Sequence, residues 1–142
     1  MITINPYLNF AGNTEKAFDF YRTVFGGEYL ALMRYKDTFE AERTPDADKD
    51  KLMHVALPIG STNVLMGTDM LESMGQKLIE GNHFSLSIGT DSEAEADKIF
   101  NALSAGGTIE MALEKTFWGA YFGMCKDKFG IQWMVNYDYE KK

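Results

Sequence analysis

Thr62-Asn63-Val64-Leu65-Met66-Gly67-Thr68-Asp69, near the middle of the chain, and Ile131-Gln132-Trp133-Met134-Val135-Asn136-Tyr137-Asp138, near its end, are two strand-like runs. Laid side by side they align residue for residue, and each closes the same succession of elements. The first succession opens with a strand from Thr3, continues into a helix ended by Gly26-Gly27, and reaches residues 63–67. The second opens at His83, passes through a helix ended by Gly106-Gly107, and reaches residues 132–136. A β-α-β-β-β unit of this size cannot bury both faces of its sheet alone. Two units side by side are expected to curl a larger mixed sheet around a cleft, with helices on the outer face. The expected class is α+β, a single domain over 1–142 made of module 1 (about 1–69) and module 2 (about 83–142) joined by a connector.

Composition narrows the function classes. The chain has 142 residues, 45% of them hydrophobic and 25% charged, which is globular rather than disordered. Its net charge of −7, with no basic run to offset it, argues against nucleic acid and anionic membranes as partners. Cys125 is the one cysteine, so no intrachain disulfide can form. The start, Met-Ile-Thr-Ile-Asn-Pro, has no basic region or long apolar stretch, and a cytoplasmic protein is expected.

Two stripes of apolar residues predict the helices. Ala17, Phe18, Tyr21, Val24 and Phe25 form the first, with Asn13 or Thr14 as its cap. Ala96, Ile99, Phe100 and Leu103 form the second, and Ser92 with Glu95 has the spacing of a capping box. Residues 37–51 are dense in Asp, Glu and Lys and read as a solvated loop, with a ligand-covering lid as the alternative. Residues 69–82 join the modules, and Met70, Leu71, Met74 and Leu78 suit a short helix there.

Strand alternation then sorts the faces. In residues 83–88 the apolar set Phe84, Leu86 and Ile88 is assigned to the helix layer, leaving His83, Ser85 and Ser87 opposite. In residues 131–136, Ile131, Trp133 and Val135 leave Gln132, Met134 and Asn136. In residues 53–59 the same logic leaves His54, Ala56 and Pro58. Both histidines of the chain fall on this mixed polar face, which predicts a ligand-lining surface. Solvent exposure of that face is the plainer alternative.

These residues resemble a known family. Pro6-Tyr7-Leu8-Asn9-Phe10, Phe18-Asp19-Phe20-Tyr21, Val24-Phe25-Gly26-Gly27, Met53-His54-Val55-Ala56-Leu57 and Val64-Leu65-Met66-Gly67 carry the likeness in the first half. Thr116-Phe117-Trp118-Gly119-Ala120-Tyr121-Phe122-Gly123-Met124 and the run from Asp127 to Asn136 carry it in the second. Together they are similar to the vicinal-oxygen-chelate superfamily (glyoxalases, bleomycin-resistance proteins and extradiol dioxygenases), in its PhnB-like branch. The resemblance implies that fold and a homodimer. It also implies four metal-ligand positions, which fall on Pro6, Leu65, His83 and Met134. Only His83 among them is a strong ligand for Zn, Ni, Fe(II) or Mn, so no metal or other cofactor is expected, a divalent ion at His83 being the exception. Chains of this branch are sometimes described as demethylubiquinone methyltransferases. Here the glycine pairs follow helices, whereas a nucleotide or S-adenosylmethionine cradle places glycines before one.

Other chemistry is thinner. His54 and His83 are weak candidates for acid–base catalysis. Cys125, beside Lys126, reads as an inert core thiol. Asp127-Lys128-Phe129-Gly130 reads as a tight turn with Gly130 at positive φ. Trp118, between Phe117 and Gly119, is expected to reach the cavity. The leading expectation is a protein binding a small molecule over His54, Met66, His83, Ser85, Trp118, Gln132, Met134 and Asn136, without a tightly bound metal. A His-based or metal-dependent lyase or isomerase, and a non-catalytic dimeric interaction module, are the alternatives.

Overall fold

A computed structural model describes residues 1–139 and divides the chain into two compact units, Met1–Ile79 and the part from Glu80 onward. Unit 1 contains β1 (Tyr7–Phe10), α1 (Thr14–Phe25), β2 (Ala31–Arg34), β3 (Leu52–Ile59) and β4 (Asn63–Asp69). Unit 2 contains β5 (Leu86–Gly89), α2 (Glu93–Ser104), β6 (Thr108–Lys115), β7 (Ala120–Lys126) and β8 (Gln132–Asp138). The strand orders are β1-β4-β3-β2 and β5-β8-β7-β6, each with one parallel pair, β1 with β4 and β5 with β8. The duplicated β-α-β-β-β plan read from the sequence is the plan of the molecule.

In unit 1 the helix stripe does what its spacing predicts. Ala17, Phe18, Tyr21 and Val24 are buried against β3 and β4, while Phe25 is only half-buried. Phe18 packs edge-on against Phe10 at 6.5 Å and Tyr21 at 5.5 Å between ring centroids. Its ring also closes over Gly67, where an added Cβ would lie 2.6 Å from a ring carbon. In unit 2 Phe100 closes in the same way over Gly123, where a Cβ would meet its ring at 2.9 Å. Leu8, Gly67 and Val55 line up across one sheet, and Ile88, Val135 and Gly123 across the other. Glycine and valine have therefore exchanged strands, so that each helix phenylalanine finds one gap.

That exchange corrects the residue-for-residue alignment of the strand ends. Gly67 occupies the position of Val135, so Met66, rather than Leu65, corresponds to Met134. The pairing is one residue out, and a slip of one turns every side chain to the other face. Leu65 accordingly sits in the core at 2% exposure, paired with buried Leu57.

Three further expectations change. The first strand starts at Tyr7 rather than Thr3, and Met1, Ile2 and Ile4 are exposed. The strand expected from His83 starts at Leu86, so His83 and Ser85 precede it, and Phe84 is 66% exposed instead of packed under a helix. The cap of α1 is not a side chain of Asn13. Asp69 supplies it from the end of β4: its Oδ1 accepts from Gly12 N–H, Thr14 N–H and the Thr14 hydroxyl at 2.6–3.0 Å. Its Oδ2 accepts from Leu52 N–H at 2.8 Å. The capping box of α2 forms as read, with Glu95 N–H donating to Ser92 at 3.0 Å and the Glu95 carboxylate accepting from Asp91 N–H.

The charged segment is more than a solvated loop. It folds as three short 3-10 turns, Tyr35–Asp37, Ala41–Arg43 and Asp46–Asp48. Asp48 is buried and accepts from Ser73 and Lys51, both at 2.7 Å, which ties the segment to the connector. In the connector the expected helix is one 3-10 turn, Glu72–Met74, and Leu71 is its buried anchor.

Candidate functional site

Each sheet has one face covered by its own helix and one that is not. In unit 2 the helix side holds Leu86, Ile88, Trp133, Val135, Gly123 and Cys125. Tyr121 also belongs to it and donates to Asp97 of α2 at 2.6 Å. The opposite face is set by register. Ser87, Met134, Met124 and Met111 lie in one row across β5, β8, β7 and β6. A bulge between Ile109 and Met111 is what turns Met111 onto that face. On one side of the row lie Asn136, Phe122 and Glu114, and on the other Gln132, Lys126 and Thr108. Trp118, in the turn before β7, is 56% exposed and meets Phe122 edge-to-face, with ring centroids 5.9 Å apart.

The row is thus three thioethers beside two rings in edge-to-face contact, a surface that is apolar, polarisable and able to adapt its shape. One polar atom on it is anomalous. Gln132 Oε1 is buried and has no hydrogen-bond partner among the described residues. A buried acceptor without a donor costs on the order of 1–3 kcal/mol, so such atoms are rare in native proteins. Asn136, by contrast, is engaged, donating to Asp138 at 3.0 Å.

In unit 1 the face opposite α1 carries Tyr7, Met66, Thr68, Ala56, His54 and Met33. Tyr7 and His54 are joined by a hydrogen bond of 3.1 Å between the hydroxyl and Nδ1, with ring centroids 5.7 Å apart. The Tyr7 phenol is held above its usual pKa, first by burial and then by the nearby Tyr35.

The sequence-predicted residues therefore divide between the units. His54 and Met66 share the helix-free face of unit 1. Gln132, Met134 and Asn136 share that of unit 2, with Trp118 at its margin and Ser85 just before β5. His83 is exposed ahead of β5. Sequence reasoning missed Met124, Met111 and Phe122 as members of the face, and Tyr7 as the partner of His54. Period-2 alternation along β7 carried the signal for Met124 and Phe122; the bulge hid Met111.

The four positions that the superfamily uses for metal do not fit an ion. The Pro6 carbonyl accepts from Met66 N–H at 3.0 Å, and Leu65 is in the core. Met66, which the register puts in Leu65's place, offers like Met134 a thioether, a poor donor to a hard dication. No group of three or more His, Cys, Asp or Glu among the described residues is arranged to hold a metal. Cys125 is fully buried, and its thiol is pushed up to about 11 by burial, with Asp127 and Glu110 adding to the shift. The turn residue Asp127 is itself buried, accepting from Phe129 N–H, Ile131 N–H and Trp133 Nε1–H. Gly130 has the positive φ, 93°, that the turn requires.

The two four-stranded sheets, each backed by one helix, have the fold of solved structures described as glyoxalase/bleomycin-resistance/dioxygenase proteins. Within it the chain belongs to the PhnB-like family, whose model, described as 3-demethylubiquinone-9 3-methyltransferase, matches residues 2–136. Protein YjdN of Escherichia coli is 33% identical, the match covering 94% of this chain and 93% of that one. The crystal structure of PA1353 from Pseudomonas aeruginosa is 39% identical with a TM-score of 0.86, covering 97% and 98% of the two chains. A Bacillus cereus PhnB protein, described as a putative 3-demethylubiquinone-9 3-methyltransferase, superimposes with a TM-score of 0.78 at 23% identity, over 96% and 99%. Among the described residues no helix is long and apolar enough to cross a membrane.

Proposed function

We propose that this protein binds a small organic molecule on the helix-free face of unit 2, without the bound metal of its superfamily's enzymes. The observation that carries this reading is the buried, unpartnered Gln132 Oε1 beside the row Met134, Met124 and Met111. An amide oxygen in that setting takes an N–H or O–H donor, and thioethers with the rings of Trp118 and Phe122 take an apolar or aromatic body. The ligand class is accordingly an aromatic or otherwise planar molecule bearing at least one hydrogen-bond donor. Lys126, next to Gln132 in the register, favours an additional anionic or acceptor group. Met66 and His54 are assigned to a separate surface on unit 1, and His83 and Ser85 to the approach to β5.

The same geometry does not favour methyl transfer. Gly26, Gly27 and Gly106 have positive φ but follow helices. Gly12 does precede α1, at φ 101°, but its N–H and that of Thr14 are already taken by Asp69 rather than open to a phosphate or cofactor. The protein is further proposed to act as a homodimer in the cytoplasm. Support for association comes from β6, an edge strand exposed along nearly its whole length, with Ile109 and Met111 outward. Light scattering that shows one chain per particle would contradict it.

The binding reading is tested by a calorimetric screen of aromatic amines, phenols and planar antibiotics. A hit is expected to quench Trp118 fluorescence, and Gln132→Ala is expected to weaken binding about tenfold, as loss of one buried hydrogen bond to a ligand predicts. No hit, or a hit indifferent to both Gln132→Ala and Trp118→Phe, would contradict the reading.

A further inference from the structure

The methionine row opposite α2 has a chemistry of its own, apart from its shape. β7 lies between β8 and β6 in the sheet, and Met124 on it is the register partner of both Met134 and Met111. Directly opposed side chains on neighbouring strands have Cβ atoms about 5 Å apart. The outer two sulfurs therefore need only lean toward the middle one, which methionine's unbranched side chain allows. The third sulfur is there because of the bulge. Ile109 stands opposite Cys125 on the helix side, so in a regular ladder Glu110 would come next, opposite Met124. The extra residue replaces that carboxylate with a thioether.

These methionines are not core gap-fillers. Met124 and Met134 are half-buried and Met111 is 46% exposed, so the row borders solvent. A thioether is neutral and polarisable, with no proton to lose. It offers little to a hard dication but is a good donor to a soft, closed-shell ion such as copper(I). The fourth member of the row is Ser87, beyond Met134. The flanking rows set Glu114 on one side and Lys126 on the other, so their charges offset each other. Nothing in the row itself favours a second positive charge on the ion.

We propose that Met111, Met124 and Met134 form a three-thioether site for a soft monovalent cation, copper(I), with silver(I) as its air-stable counterpart. Met124 is the central donor, and the bulge in β6 is the local device that completes the set. The site shares a face with the organic ligand proposed above but rests on the sulfurs alone. Gln132 contributes no sulfur, and the cation needs no hydrogen-bond donor.

The test titrates silver(I) nitrate, in chloride-free buffer, into full-length protein labelled at its methionine methyls. The signals of Met111, Met124 and Met134 are expected to shift together and saturate at a single ion per chain, with exposed Met1 and Met74 unmoved. Anaerobic competition against bicinchoninate, without thiol reductant, then reads the copper(I) affinity. Met124→Leu conserves volume and removes the central donor, and is expected to weaken binding at least about tenfold. Met111→Leu, at an exposed position, supplies the same reading should Met124→Leu fail to fold. Met74→Leu is expected to bind as the unmutated protein does, and zinc(II) to leave the row unmoved. Silver that leaves the three methyls still, saturation at Cys125 or the histidines instead, or copper(I) held equally well by the Leu variants would each overturn the proposal. None of these outcomes bears on the calorimetric test of Gln132, so the two proposals fail separately.

Discussion

The two units start their helices by different means. In unit 1 the cap comes from Asp69, 55 residues along the chain from Thr14. In unit 2 it comes from Ser92, three residues from Glu95. One plan is thus held by a tertiary contact in the first copy and a local one in the second. The consequence is a difference in cooperativity. Loss of Ser92 frays one turn, whereas loss of Asp69 uncouples α1, β4 and the start of β3 together.

The largest expected effect is therefore at Asp69. Asp69→Ala leaves three backbone N–H groups, those of Gly12, Thr14 and Leu52, without acceptors in or near the core, and is expected to cost about 3–5 kcal/mol. Chemical denaturation checks this, and amide exchange should show the loss concentrated in unit 1. Next come the two glycines under the phenylalanine rings. Gly67→Ala forces the Phe18 ring aside, and Gly123→Ala meets both Phe100 and the Leu113 backbone. Each is expected to cost about 1–3 kcal/mol by overpacking, since each also presses on backbone, the Leu8 carbonyl at 3.2 Å under Gly67 and Leu113 Cα at 3.0 Å under Gly123. Equal stability of both variants with the unmutated protein would break the argument that glycine and valine exchanged strands.

Ser92→Ala is expected to cost about 1 kcal/mol, confined to the first turn of α2. The smallest effect concerns pH. Burial pushes the Cys125 thiol up to about 11 from an ordinary value of 9.0. Its neutral form is favoured by folding, so its contribution is fully present below the unfolded value and is lost as pH rises from there toward 11. Alkylation at about pH 8 is accordingly expected to be slow in native protein and fast in denaturant. Rapid modification of the native thiol would contradict the buried placement.

What could be read from the sequence follows the same division between local and distant. The helices, the α2 capping box, the Asp127–Gly130 turn and the alternation of Gln132, Met134 and Asn136 are encoded within a few residues, and all were legible. The cap at Asp69 was not, since no spacing rule links residues so far apart. The correspondence of Met66 with Met134 was missed because Gly67 and Gly123 lie on different strands of their sheets, which displaces the apparent alignment by one. Phe84 was assigned to the core by alternation alone, but alternation has force only inside a strand, and β5 begins two residues later. Tyr7 escaped notice as the partner of His54 because β1 and β3 are not neighbours in the sheet; β4 lies between them.

The central claim is that the methionine row opposite α2 receives a ligand. It is tested most directly by methyl NMR of protein labelled at its 9 methionines, titrated with a compound found by calorimetry. The methyl signals of Met111, Met124 and Met134 should move together and saturate, while those of Met1 and Met74 stay still. Saturation that moves other methionines and leaves this row unmoved would contradict the account.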